Sequence, residues 1–175
     1  MSIITKKICL LGDFNVGKTS LVRRFIDDKF SDQYLSTVGV KVSRKSVKIE
    51  TKLDCHQVNL LIWDLEGLTK FKSITPSYLK GASGSIIVAD LTRSGTLANL
   101  KQHIKLFLNV NPQGVIILAL NKADLISPEK LSKLIENYSN YSFQQIVGIY
   151  TTSAKTGEKV ADIFAQLAKV VTIFT

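Results

Sequence analysis

Apolar residues along this chain fall into two rhythms. Continuous runs occupy Lys6–Leu11, Ser85–Ala89 (SIIVA), Val115–Leu120 (VIILAL) and, more briefly, Ile146–Tyr150. Short unbroken runs of this kind suit strands buried on both faces of a parallel sheet. Val38–Ile49 and Val58–Trp63 are rich in β-branched and aliphatic residues. A polar connection containing Asp54 and His56 joins them, which predicts a hairpin. The second rhythm is helical. Leu21, Val22, Phe25 and Ile26 recur at helical spacing after Lys18, and further helical stretches are predicted at about Thr96–Asn109, Pro128–Asn137 and Glu158–Val171. Ser127 before Pro128 is a good helix start, a cap residue followed by proline in the first turn. Strand and helix alternate, so the pattern predicts an α/β fold with a mostly parallel sheet. No repeat, low-complexity tract or linker interrupts it, and residues 1–175 read as a single domain.

Composition narrows the picture. With 175 residues and 45% hydrophobic content the chain can bury a real core. No apolar run approaches the roughly 20 residues of a membrane span. The start, Met1 to Lys7, lacks the apolar segment of a secretory signal. Cys9 lies in an apolar run and Cys55 in a polar connection, and neither stands at metal-ligand spacing. Two reduced thiols in a cytoplasmic protein is the reading. The net charge of +9 could favour nucleic acid, anionic lipid or an acidic protein, or simply solvate a Lys-rich surface.

Three segments carry chemistry. Gly12-Asp13-Phe14-Asn15-Val16-Gly17-Lys18-Thr19 matches G-x-x-x-x-G-K-[ST] between a predicted strand and a predicted helix. Its glycines let backbone N–H groups approach phosphates, and the helix N-terminus adds favourable dipole charge. Lys18 can reach the β- and γ-phosphates, and the Thr19 hydroxyl can ligate magnesium. Asn121-Lys122-Ala123-Asp124 follows a predicted buried strand directly. The Asp124 carboxylate can accept from the adjacent N1–H and N2–H₂ donors of guanine, a pair that adenine lacks. The aliphatic stem of Lys122 can lie along the base. Ser153-Ala154-Lys155 offers a further backbone contact to the base.

These segments, in this order, resemble the Ras superfamily, and most closely its Rab branch, over nearly the whole chain. Tyr34-Leu35-Ser36-Thr37-Val38-Gly39-Val40 is similar to the Rab first switch, and Pro76–Ala82 to the segment after the second. The resemblance implies a six-stranded sheet whose second strand runs antiparallel, and GTP or GDP with Mg2+ as ligands. It implies that Asn15, Val16, Gly17, Lys18, Thr19, Ser20 and Tyr34 contact the nucleotide. It also implies that Thr37 ligates magnesium and senses the γ-phosphate, that Asp64 holds the metal through water, that the Gly67 N–H meets the γ-phosphate, and that Phe30 packs on guanine.

Several positions depart from the family pattern. The second switch, usually Asp-x-Ala-Gly-Gln-Glu, reads Asp64-Leu65-Glu66-Gly67-Leu68-Thr69. Leu68 replaces the Gln that orients the attacking water and has neither donor nor acceptor. Glu66 replaces a small alanine, and Phe14 takes a loop position that is usually small, where its ring would project over the γ-phosphate. No residue is therefore assigned as catalytic; Leu68, Phe14 and Glu66 are the atypical candidates. Val42, Trp63 and Tyr78 match the family's aromatic triad, so two aromatics remain, and Lys41, Arg44, Lys45 and Lys48 crowd the hairpin. Exposed aromatics ringed by charge suit a protein-binding surface, whereas lysines also blunt an edge strand against aggregation.

Two readings follow. One is a GTP-loaded binding module that scarcely hydrolyses and presents its switches, the Lys41–Lys48 hairpin, Trp63 and Tyr78 to effector proteins, with an exchange factor as a further partner. The other is an active GTPase with an unusual mechanism through Glu66 or a residue lent by a partner. A P-loop kinase is disfavoured by Asn121–Asp124. Nucleic acid is not expected. Ile173-Phe174-Thr175 carries no terminal cysteine and the start is Met-Ser, so a lipid anchor is not expected within this chain. A cytoplasmic location follows, with membrane attachment only through a missing tail or a partner.

Overall fold

The computed structural model describes residues 2–33, 37–50, 55–67, 75–138 and 143–173. Tyr34, Leu68, Asp54 and the second switch after Gly67 lie outside them. Six strands form one sheet in the order β2-β3-β1-β4-β5-β6. They are β1 (Ser2–Gly12), β2 (Val40–Glu50), β3 (Cys55–Leu65), β4 (Gly84–Asp90), β5 (Val115–Asn121) and β6 (Ile146–Thr151). β2 and β3 pair antiparallel, with Val42 opposite Trp63, and every other pairing is parallel. The fold class and the antiparallel second strand expected from the sequence are what is found.

Helices α1 (Lys18–Asp27) and α6 (Val160–Ile173) cover one face of the sheet; α2 (Thr75–Leu79), α3 (Ser94–Ala98), α4 (Leu100–Val110) and α5 (Pro128–Tyr138) belong to the other. Strand alternation sends Ile8, Leu10, Ile62 and Val88 to the first face, where Leu21, Phe164 and Leu167 meet them. Cys9, Leu11, Ile87 and Leu118 go to the second face and pack on Leu100, Ile104 and Phe107. Burial of this kind stabilises by roughly 25 cal/mol per Å² of apolar surface. It fixes the carboxyl ends of β1, β4 and β5 beside one another, and the functional loops leave from those ends.

The structure corrects four local expectations. The single helix expected at Thr96–Asn109 is divided at Asn99, which caps α3 and whose side chain reaches out to Asp13. Cys55 and His56, placed by sequence in the hairpin connection, are the first residues of β3. β6 is half-buried throughout because it is the outer edge of the sheet. Most consequential, the hairpin cations do not form one cluster. Arg44 and Lys48 share the face of Trp63, whereas Lys41 and Lys45 point the other way, since side chains alternate along a strand. Lys45 is engaged there, donating to the Ile26 carbonyl at 3.0 Å, with its ammonium 5.8 Å from the Phe25 ring centre.

Candidate functional site

A cavity of about 390 Å³ opens at the carboxyl ends of the strands. It is lined by the β1–α1 loop (Phe14, Asn15, Gly17, Lys18, Thr19, Ser20), by Phe30, Thr37 and Gly67, and by Asn121, Lys122, Asp124, Ala154 and Lys155. Nearly every described residue that the sequence nominated is thus brought to one place. Val16 is buried beneath the loop as part of the core, and Ser153 is buried behind Asp124.

The loop is a turn of unusual backbone. Asn15 and Gly17 both adopt positive φ, 61° and 102°. At Gly17 this conformation favours glycine, and a Cβ there would collide with the Asn121 amide nitrogen. Lys18 opens α1 and is buried; its ammonium donates to the Gly12 carbonyl at 3.0 Å and the Asp13 carbonyl at 2.7 Å. Burial lowers its pKa to about 8, against the opposing pull of the Asp64 and Asp13 carboxylates.

Beside Lys18 three oxygen-bearing side chains converge. Thr19 donates to Asp64 Oδ2 at 2.6 Å, and the Thr19 and Thr37 hydroxyls lie 2.6 Å apart. Asp64 is buried, which raises its pKa, while the Thr19 hydrogen bond and the Lys18 charge oppose the rise. Among the described residues, its second oxygen, Oδ1, is buried with no hydrogen-bond partner. Two hydroxyls and a carboxylate with an unsatisfied oxygen form a hard, all-oxygen donor set that fits Mg2+.

At the far end, Asp124 stands at the cavity rim, its Oδ1 accepting from the Ser153 hydroxyl at 2.6 Å. Asn121 donates to the Val16 carbonyl at 2.9 Å and accepts from the Thr152 hydroxyl and the Ala154 N–H, each at 3.2 Å. Phe30 is half-buried and packs against the α1 side of the core. The two atypical residues within view have defined places. Phe14, 41% exposed, lines the cavity, and Gly67 packs so closely on its backbone that a Cβ at 67 would collide with Phe14. The Glu66 carboxylate accepts from the Gly39 N–H at 3.0 Å.

Sequence reasoning missed the outer braces of the phosphate loop. Asn99 donates to Asp13 Oδ2 at 2.8 Å and His103 Nε2 lies 2.7 Å from Oδ1. Burial lowers the His103 pKa against the opposing pull of the Asp13 carboxylate, and Nδ1 is buried without a partner among the described residues. Arg93 donates to the Phe14 carbonyl at 2.8 Å and Lys122 to that of Asn15 at 3.2 Å. Both cations share Asp90 Oδ2, at 3.0 and 2.7 Å. Burial alone would raise the pKa of Asp90; the hydrogen bonds from Lys122, Thr92 and Arg93 outweigh it and hold the carboxyl below its ordinary value. Arg24 likewise donates to the Ala154 and Lys155 carbonyls from α1. A carboxylate at the end of β4 was the available clue, because ligands of open α/β sheets gather at strand ends.

A glycine-bearing loop between a central parallel strand and a helix, with a basic residue at its floor and an oxygen donor set beside it, defines a P-loop nucleotide-binding domain. The model of the Ras family matches residues 7–173, and the chain belongs to that family of GTP-binding switch proteins. It is similar to the GTP-binding protein ypt5 of Schizosaccharomyces pombe, 36% identical over 95% of this chain and 77% of that protein. It is 34% identical to Ras-related protein Rab-13 of Rattus norvegicus over 93% of the chain and 78% of the relative. Human Ras-related protein Rab-22A is 32% identical over 97% and 84%. The resemblance to the Rab branch is therefore supported across almost the full length, and Rab-like GTPases bind effectors and exchange factors. Among the described residues, no helix is long and apolar enough to cross a membrane.

Proposed function

We propose that this chain is a Mg-GTP/GDP-dependent switch, carried by one guanine-nucleotide-binding domain, whose own hydrolysis is weak or absent and whose output is a surface offered to partner proteins. The observation that carries the ligand reading is the meeting of Thr19, Thr37 and the unsatisfied Asp64 oxygen beside Lys18. Bound there, the metal would neutralise phosphate charge. Thr19 and Thr37 would hold it directly and Asp64 through water. The backbone of Asn15–Thr19 would cradle the phosphates, with Lys18 on the β- and γ-groups and the Gly67 N–H at the γ end. Asp124 and the Ala154 N–H would read guanine, between Phe30 and the Lys122 stem.

Slow hydrolysis is supported by residue chemistry. Phosphoryl transfer depends almost wholly on positioning and electrostatics. Leu68 cannot orient a water, and Phe14 narrows the phosphate end that an external arginine would have to enter. The partner surface lies on the β2–β3 face of the sheet beside α2. Val42, 51% exposed, stands beside Trp63. Trp63 leans on Tyr78 with ring centres 6.1 Å apart, and the Lys7 ammonium sits 3.8 Å from the Trp63 ring centre. Arg44 and Lys48 flank this apolar centre and suit a partner with acidic groups.

The deciding experiment is single-turnover hydrolysis on GTP-loaded protein, together with identification of the nucleotide that co-purifies. Slow turnover, GTP in the purified protein, a partial gain from Leu68→Gln and a more than additive gain with Phe14→Gly support the proposal. Fast wild-type turnover that is lost in Glu66→Ala makes Glu66 the catalytic residue and the chain an active GTPase.

A further inference from the structure

Glu66 makes two hydrogen bonds to the same residue. Its backbone N–H donates to the Gly39 carbonyl at 2.9 Å, and its side-chain Oε2 accepts from the Gly39 N–H at 3.0 Å. The first bond continues the β2–β3 ladder one step beyond Val40 and Leu65. The second is an addition that a small alanine, the usual family residue here, cannot make. Both backbone polar groups of Gly39 are thereby tied to one residue of the opposite switch. Gly39 has φ 72°, and no atom lies within 4 Å of where a Cβ would stand. Two residues earlier, Thr37 meets Thr19, and one residue after Glu66, Gly67 rests on the Phe14 backbone.

We infer that Glu66 is a positioning residue that straps the first switch to the second, so that the segment Thr37–Val42 keeps its form when diphosphate replaces triphosphate. In switches of this class the two segments are ordered by contacts to the γ-phosphate and its metal, and are released on hydrolysis. Here protein groups on both sides supply part of that restraint. The carboxylate bond is charge-assisted and about twice as strong as a neutral one. The inference rests on the proposed nucleotide-switch reading and refines it: Val42, beside the partner-facing Trp63, is held by a contact that needs no γ-phosphate.

The test is amide hydrogen exchange across Val38–Val42 in protein loaded with GDP or with a non-hydrolysable GTP analogue, nucleotide content being measured first. In the wild type, protection should agree between the two states within about threefold. Glu66→Ala should lose about tenfold in the GDP state and far less with the triphosphate, as expected for one part-buried hydrogen bond to a charged group. Glu66→Gln keeps an acceptor and removes the base, so it should stay within about threefold of wild type in both states. Loaded protein in which Glu66→Ala leaves GDP-state protection unchanged overturns the strap alone, as does a wild type that itself loses tenfold or more with GDP. A protein that takes up neither nucleotide overturns the switch reading and the strap with it.

Discussion

The Lys122 ammonium sits 2.7 Å from Asp90 Oδ2, and the same oxygen takes Arg93 at 3.0 Å. Through this one buried carboxylate the base-side lysine and the brace on Phe14 are joined. Asp90→Ala removes the acceptor that the two cations share; both are partly exposed and keep their bonds to the Phe14 and Asn15 carbonyls, so the loss should be about 1 kcal/mol. Faster release of a fluorescent guanine nucleotide is expected, together with coupling between Arg93→Ala and Lys122→Ala in a double-mutant cycle. Additive effects of those two changes would disprove the connection.

Asp124 should decide which base is accepted. Its carboxylate is oriented by Ser153, and without it guanine loses its paired acceptor. Asp124→Ala is expected to erase most of a discrimination against ATP that such pairing sets at about 10⁴ or more. Competition of ATP against labelled GTP measures it. A wild type that accepts ATP as readily as GTP would show that residues 121–124 do not select guanine.

Lys18 has a pKa of about 8 in the protein against an ordinary 10.5. Between those values the unfolded chain binds more protons than the folded one, so stability rises with pH across that window. Below pH 8 the cost of the buried charge is fully present. Lys18→Met should therefore melt several degrees higher than wild type near pH 7 without ligand, and the difference should shrink towards pH 10.5. The same variant should lose tight triphosphate binding. Thermal melts over pH 7–10 check the first expectation and nucleotide titration the second.

The division of the hairpin cations makes a directional prediction. Reversing Arg44 and Lys48 to Glu should reduce what the immobilised GTP-loaded protein retains and flatten the salt dependence of retention. Reversing Lys41, which lies on the opposite face, should do much less. Equal losses from both faces would return the whole charge to solubility.

Cys9 lies 0% exposed, with burial pushing its thiol up to about 12. A thiol reagent should modify Cys55 in the folded protein and reach Cys9 only after denaturation. Rapid modification of both thiols under native conditions would contradict the packing of β1.

What could be read from sequence divides along physical lines. The runs at Ser85–Ala89 and Val115–Leu120 announced buried parallel strands because burial on both faces leaves no alternation. The loop at Gly12–Thr19 and the segment Asn121–Asp124 were visible because their chemistry is local in the chain. Alternation along β2 was equally available, yet the cations read as a cluster, because proximity in sequence hides a period of two. The contacts Asn99 and His103 to Asp13, and Arg93 to Phe14, join positions 79 to 90 apart. No spacing rule reports such partners; the packing of α4 beside β1, and for Arg93 the turn between β4 and α3, brings them together. The division at Asn99 was concealed for a related reason, since Leu97 and Leu100 keep the helical apolar rhythm across it.

The close approach of Gly17 to the Asn121 amide gives this molecule a keystone. Asn121 holds the Val16 carbonyl from the base side, while residue 17 shapes the turn on the phosphate side, and the two halves touch where glycine has no side chain. One added methyl group at that point would act as a wedge, lifting the amide from the loop and spoiling both halves of the pocket in a single stroke.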